Sequence, residues 1–474
     1  MVFSSLIFLF VFLVLYLLVY HRAQSIHQKN LVLLVFSLAF YAWGGLHYIL
    51  LLLITNLISW AAGILIQTSK TRGEAKRYLI ASCAIVLGIL VYFKYTGFFL
   101  GITHTLFGLP SEVMAPVLPL GISFYTFKLL SYVVDVYQGR VQAQYSYGKL
   151  LLYSANFHHC VAGPIVRYQT VGKELDSREV TRDDLYEGAR RFCVGLAKKA
   201  VLAMSCSNAV DALLPIGSTD IYGQVTSGYW LGMLFYLFQI YLDFAGYSDM
   251  ALGLGRMAGF HYLENFDYPY EATSVQDFWR RWHISLSSFF RDYVYIPLGG
   301  SRCSQRQYVR NMLVVWLLTG FWHGANWNFI LWGLYYFAFL LLEKFVIKGR
   351  MPSWLGHLYT LLVVYLGFVF FKFEDFGEMG AVFAGMVGAN GAGVTSLAVW
   401  TVFMKNVFLI VLCALACTHL GGWLRARLRV MSEKSTLARL LFDFQEALVP
   451  PLLMIVSVVA LVGATYSPFI YFQF

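Results

Sequence analysis

The chain has 474 residues, 59% of them hydrophobic and 13% charged, with a formal net charge of +10. A mean hydropathy of +0.64 excludes a soluble globular fold and fits a polytopic, all-α membrane protein. The basic residues fall in short loops between apolar runs, which is the positive-inside pattern of a membrane protein and argues against nucleic acid as a partner. Aromatic residues, at 18%, suit interfacial belts and an aromatic-lined cavity. The cysteines, Cys83, Cys160, Cys193, Cys206, Cys303, Cys413 and Cys417, form no CxxC pair and no zinc spacing, and read as packing residues.

Residues 6–20 are an apolar run with neither a charged leader nor a small-residue cleavage site, so residues 4–20 read as a retained first span. Span two covers residues 31–43, Gly44-Gly45 makes the turn, and span three covers residues 47–66. Lys70, Arg72, Lys76 and Arg77 form the clearest basic loop of this half. With Arg22 and Lys29 on the same side by parity, the N-terminus is placed outside. Span four covers residues 78–93, and residues 97–119, broken by Gly and Pro, predict loops and short helices. A partly apolar helix opens at Leu120. Lys128 and Asp135 share one of its faces, and the shortness of the run places them at the water boundary. His158 and His159 are adjacent and point in different directions on a helix, so this pair alone does not make a metal site. Residues 167–199 carry too much charge of both signs to span, and read as a cytoplasmic amphipathic segment.

The apolar run at residues 229–244 leads into Asp243-Phe244-Ala245-Gly246-Tyr247-Ser248-Asp249. Asp243 and Asp249 read either as the lining of a cavity or as helix-end caps, and spacing does not choose. Next come Trp279-Arg280-Arg281-Trp282-His283 and Arg291-Asp292-Tyr293, which mix Trp with Arg and fit an in-plane or re-entrant segment. Arg280, Arg281 and Arg291, with Trp279 and Trp282, are candidates to hold the phosphates of an activated donor; anionic lipid headgroups are the alternative.

Arg302, Arg306 and Arg310 mark one cytoplasmic loop, and Lys344, Lys348 and Arg350 the next. Residues 311–342 must therefore leave and return, in a length short of two full spans of about 20 residues each. A hairpin of short or tilted helices, turning inside the bundle, is the simplest solution. Leu317-Leu318-Thr319-Gly320-Phe321-Trp322-His323-Gly324-Ala325-Asn326-Trp327 lies at that turn and keeps His323 away from both waters. An imidazole at such depth is costly and suited to proton transfer, although a histidine satisfied by a neighbouring carbonyl would read the same way. Gly320 and Gly324 let backbone or substrate come close, and Trp322 and Asn326 are candidate lining residues beside the ring. A span at residues 358–371, a Gly-rich outer segment at 377–395, a returning span at 407–420 and a last span at 447–464 complete the chain. Arg425, Arg427 and Arg429 lie inside, and residues 465–474 form an outer tail. No repeat or linker divides residues 1–474, which read as a single membrane domain.

These pieces resemble the membrane-bound O-acyltransferases (MBOAT), and within them the alginate O-acetylation (AlgI-like) group of bacteria. The resemblance rests on Ile122-Ser123-Phe124-Tyr125, the run from His159 to Pro164, Asp243 to Met250, Phe278 to Ser287, Arg291-Asp292-Tyr293 and Trp322-His323-Gly324-Ala325, in family order. The Trp-Arg-Arg-Trp-His segment is the most specific of them. One departure is His158, where the family pattern has proline. The resemblance implies a helical bundle around a central tunnel, with re-entrant helices on the cytoplasmic side. It implies His323 as the catalytic histidine, His283 as the second family histidine, an acetyl-coenzyme A donor, and neither a metal nor a permanently bound cofactor. The acyl group is then handed across the bacterial inner membrane to a periplasmic SGNH-type acetyltransferase within a polysaccharide synthesis and export complex. Phe469-Ile470-Tyr471-Phe472-Gln473-Phe474 is similar to the C-terminal Phe-x-Tyr-x-x-Phe motif of such systems, which makes Tyr471 the candidate acyl carrier. A phenol is a better leaving group than an alkyl alcohol, so its ester would stay reactive; an aromatic interfacial anchor is the alternative. The function expected is O-acetylation of an exopolysaccharide, alginate or cellulose. Peptidoglycan O-acetylation, or a transporter or scaffold using the histidines as a proton relay, are the alternatives.

Overall fold

The computed structural model describes residues 1–108 and 116–463, and every regular element among them is helical. Among the described residues, six helices are long and apolar enough to cross a membrane: His47–Thr68, Arg72–Phe107, Trp327–Ile347, Ser353–Lys372, Leu397–Ala416 and Thr436–Val462. Phe8–Arg22 and Ile26–Ala42 are shorter apolar helices. The tail with Tyr471 lies outside the described residues.

The chain packs as two compact units. One comprises Met1–Phe192, Met250–Glu264 and Ser288–Val294. In it His47–Thr68, Arg72–Phe107 and Ile122–Tyr137 pack on one another. Phe8, Phe12, Phe40 and Phe157 form an aromatic core with ring centroids 5.3–6.3 Å apart. Two expectations are corrected here. The helix Arg72–Phe107 continues through Gly97 and Gly101, where loops were expected, because a glycine costs a helix only about 1 kcal/mol and the apolar residues around it outweigh that. Lys128 and Asp135 are fully buried on Ile122–Tyr137, not at a water boundary. Neighbouring polar groups compensate both: Ser154 and His159 for Lys128, Arg140 and Tyr293 for Asp135.

The other unit comprises Cys193–Asp249, Asn265–Ser287 and the described residues 295–463. Its centre is the expected hairpin, Gln305–His323 packed against Trp327–Leu342, with Ser353–Lys372 on the second arm. Each arm starts for a local reason. Ser304 and Gln307 form a capping box at the first, and Asn326 caps the second by accepting from Trp327 N (2.6 Å). Leu397–Ala416 begins ten residues before the expected span, and only 11% of its apolar window is buried; the window of Thr436–Val462 is 6% buried. Apolar helices with so little protein cover are what lipid-facing spans require. Cys206 and Cys413 pack Sγ to Sγ at 3.6 Å in this unit, in keeping with a packing role.

Candidate active site

His323 is the last residue of Gln305–His323, immediately before the break at Gly324. Two glycines make the fold-back possible. A Cβ on Gly320 would sit 2.3 Å from the Phe329 carbonyl oxygen, and one on Gly324 would sit 2.1 Å from the Phe329 ring. The second arm therefore lies against the backbone of the first. The imidazole of His323 is 4% exposed and meets three aromatic rings: Trp332 at 4.9 Å, Trp322 at 5.1 Å and Phe371 at 5.2 Å, all near perpendicular. Trp279 extends this shell, 5.3 Å from Trp332 and 4.8 Å from Tyr336.

His283 follows the short helix Val275–Arg281 and is held in left-handed backbone conformation, φ +44°. Such a conformation is strained for a non-glycine residue and persists only where the surroundings impose it. Here the surroundings are Asn265, Phe244 and Trp322. His283 Nδ1 lies 3.2 Å from Asn265 Oδ1, and the ring lies 4.7 Å from Phe244 and 5.8 Å from Trp322. Burial pushes His283 down to about 3, so the ring is neutral near pH 7. Trp322 thus touches both histidines, 5.8 Å from one and 5.1 Å from the other. Residues forty apart in sequence are brought to one tryptophan.

The remaining candidates separate. Trp282 is buried among Phe278, Phe266 and Phe368, and with Trp279 it faces the core, while Arg280 on the same helix is exposed. Arg281 is paired with Asp277 (3.1 Å) and lies 4.0 Å from Asp267. Arg291 belongs to the other unit and pairs there with Asp292 (2.7 Å). Asp243 and Asp249 lie within the helix Thr226–Met257 and not at its end, so they do not cap it. Asp243 forms a buried ion pair with Lys199, and Asp249 pairs with Lys198 (2.8 Å). Asn326, besides its cap, donates to Glu374 (3.1 Å).

Sequence reasoning missed Asn265, Glu343, Trp332 and Phe371. Glu343 accepts from the backbone N–H groups of Val275 (2.6 Å) and Gln276 (3.0 Å), a carboxylate on the N-terminus of the helix that carries Trp279 and leads to His283. Its signal was available: it is the first carboxylate after the apolar run at residues 311–342.

A chain of apolar helices, six of them among the described residues long enough to cross a membrane, is a polytopic membrane protein, and two of its buried histidines share one tryptophan. The model of the membrane-bound O-acyltransferase family matches residues 140–373. The chain is 36% identical to "Probable alginate O-acetylase AlgI" of Azotobacter vinelandii, over 100% of both chains. It is 37% identical to the protein of that name from Pseudomonas aeruginosa, over 86% of this chain and 81% of the relative. It is also 32% identical to a "Peptidoglycan O-acetyltransferase" of Helicobacter pylori, over 84% of this chain and 82% of the relative. The chain belongs to the membrane-bound O-acyltransferase family and is an O-acyltransferase.

Proposed function

We propose that this protein takes acetyl groups from acetyl-coenzyme A and passes them across the bacterial inner membrane for O-acetylation of an exopolysaccharide, with alginate as the first acceptor to test. The observation that carries the reading is the pair of buried histidines on either side of Trp322. The full-length identity to an alginate O-acetylase supports the choice of polymer. In this reading both termini face the periplasm, and an SGNH-type acetyltransferase there, within the polysaccharide complex, completes the transfer. Arg280 and Arg281 are the candidates to hold the donor's phosphates, Arg291 being a separate candidate in the other unit, and Trp279, Asn326 and the paired Asp243 and Asp249 shape the route.

The chemistry assigned to the residues balances simply. His323 takes the proton of the acceptor hydroxyl as the oxygen attacks the thioester carbonyl carbon. The carbon–sulfur bond then breaks, and the leaving thiolate takes the proton from the imidazolium to become the free thiol. Neutral His283 orients the donor or relays that proton. Enclosure by aromatic rings keeps water, the competing nucleophile, from the thioester. Tyr471 is the proposed first acceptor, its phenol ester remaining reactive enough for a second transfer.

Purified protein in nanodiscs with acetyl-labelled coenzyme A tests the enzyme reading: label transfer or thiol release is expected, and a transporter would give neither. His323→Ala should lower that rate by about 10²–10⁴-fold with unchanged protein yield. Full activity in that variant would refute the assignment. Tyr471→Phe removes one oxygen and should abolish polymer acetylation at unchanged protein yield. Undiminished polymer acetylation would exclude Tyr471 as carrier.

A further inference from the structure

Asn265 is 1% exposed and lies outside every motif that carries the family resemblance. Its side-chain oxygen is the acceptor for three groups: the backbone N–H of Ser285 (3.2 Å), the hydroxyl of Ser285 (2.8 Å) and His283 Nδ1 (3.2 Å). A backbone N–H can only donate, so the atom facing Ser285 N is the amide oxygen and not the nitrogen. It follows that His283 Nδ1 carries the proton in this contact, and that Nε2 of the neutral ring is the acceptor. The amide nitrogen of Asn265 donates to Ser248 Oγ (3.2 Å), inside the Asp243–Asp249 motif. The backbone carbonyl of Asn265 accepts from Ile284 N (2.9 Å). One asparagine therefore holds the ring of the left-handed residue His283 and the two residues that follow it, and ties them to a second motif.

We propose that Asn265 is the positioning residue of His283, fixing the Nδ1–H tautomer so that Nε2 is presented as the working nitrogen in acyl transfer. This rests on the reading of His283 as part of the active site. Among the side chains packed on His283 are Phe244, Trp322, Asn265 and Ser285; of these, Asn265 is the one whose atom facing Nδ1 is fixed as an acceptor by a backbone N–H.

The test compares Asn265→Ala, Asn265→Asp and His283→Ala in the labelled acetyl-coenzyme A assay across pH. Asn265→Ala should lower kcat on the order of 10–100-fold, the usual effect of removing a partner that orients a working histidine, with KM for acetyl-coenzyme A little changed. Asn265→Asp keeps an accepting oxygen but adds a negative charge, which favours the protonated ring. Its activity should therefore return in part, with the acid limb of the pH–rate profile moved up by about one unit. A purely structural asparagine would not move that limb. If Asn265→Ala does not accumulate, the profile of Asn265→Asp decides alone. Full activity in Asn265→Ala, or an unmoved acid limb in Asn265→Asp, overturns the proposal while leaving His283 in place if His283→Ala is inactive. Full activity in His283→Ala overturns the proposal and the active-site reading of His283 together.

Discussion

Each unit of this protein buries two histidines, and the two pairs are housed in opposite ways. In the first unit His158 and His159 sit among hydrogen-bonding partners. Lys128 donates to His159 Nδ1 (2.9 Å), to the His159 carbonyl (3.1 Å) and to the Ser154 carbonyl (2.9 Å), three donors meeting three acceptors. Asn156 donates to the Tyr262 hydroxyl (3.1 Å), which leaves that hydroxyl's own proton for His158 Nδ1 (3.1 Å). In the second unit His323 and His283 lie against aromatic rings, and the Asn265 amide oxygen and the Ser285 hydroxyl face Nδ1 of His283. Burial is nearly equal in the two pairs. A depth criterion would treat them alike, whereas the partners separate a polar network that holds a fold from imidazoles kept in a low-dielectric enclosure, where proton transfer and charge stabilisation gain strength.

The largest expected effect separates the pairs directly. His323→Ala should lose activity at constant yield, whereas Lys128→Met should lose stability. Methionine fills the space of the lysine stem but leaves the Ser154 carbonyl, the His159 carbonyl and His159 Nδ1 without their donor. Each buried group left unsatisfied costs roughly 1–3 kcal/mol. A lower thermal midpoint in detergent is expected, with normal turnover per folded molecule. A Lys128→Met protein as stable as its parent but inactive would erase the distinction and make the first pair chemical as well.

How much of this was legible in the sequence follows the same division. The hairpin was legible because flanking arginines and lysines fix parity, but its arms are longer than the 32 residues suggested: Gln305–His323 and Trp327–Ile347 run on into the polar flanks, and the second is long enough to cross a membrane. The depth of Lys128 was not, because its acceptors are supplied from 26 and 31 residues away, where no local pattern marks them. Asn265 was missed for the same reason: its role exists only once Ser248, His283 and Ser285 converge on it. Glycines 97 and 101 misled in the other direction, since a breaker in an apolar run is a weak signal against a long helix. The aromatic shell of His323 was half visible. Trp322 adjoins it in sequence, but Trp332 and Phe371 arrive from the second arm and from Ser353–Lys372.

Acidification gives the smallest predicted effect and tests whether both pairs are as dry as their packing implies. Burial lowers His158 and His283 each to about 3, with the Arg178 charge adding to the effect at His158. In the unfolded chain each would titrate near 6.5. Between those values the unfolded chain binds more protons, so stability falls as pH drops from about 6.5 towards 3 and is constant above 6.5. The slope is on the order of 1 kcal/mol per pH unit for each histidine. Thermal midpoints measured in detergent from about pH 7.5 to about pH 5.5 should therefore decline only below the upper value. His158→Gln and His283→Gln should each flatten the decline by a similar amount. If the first flattens it and the second does not, His283 reaches water in the resting protein. The enclosure around His283 and His323 would then have to form only when the proposed donor enters.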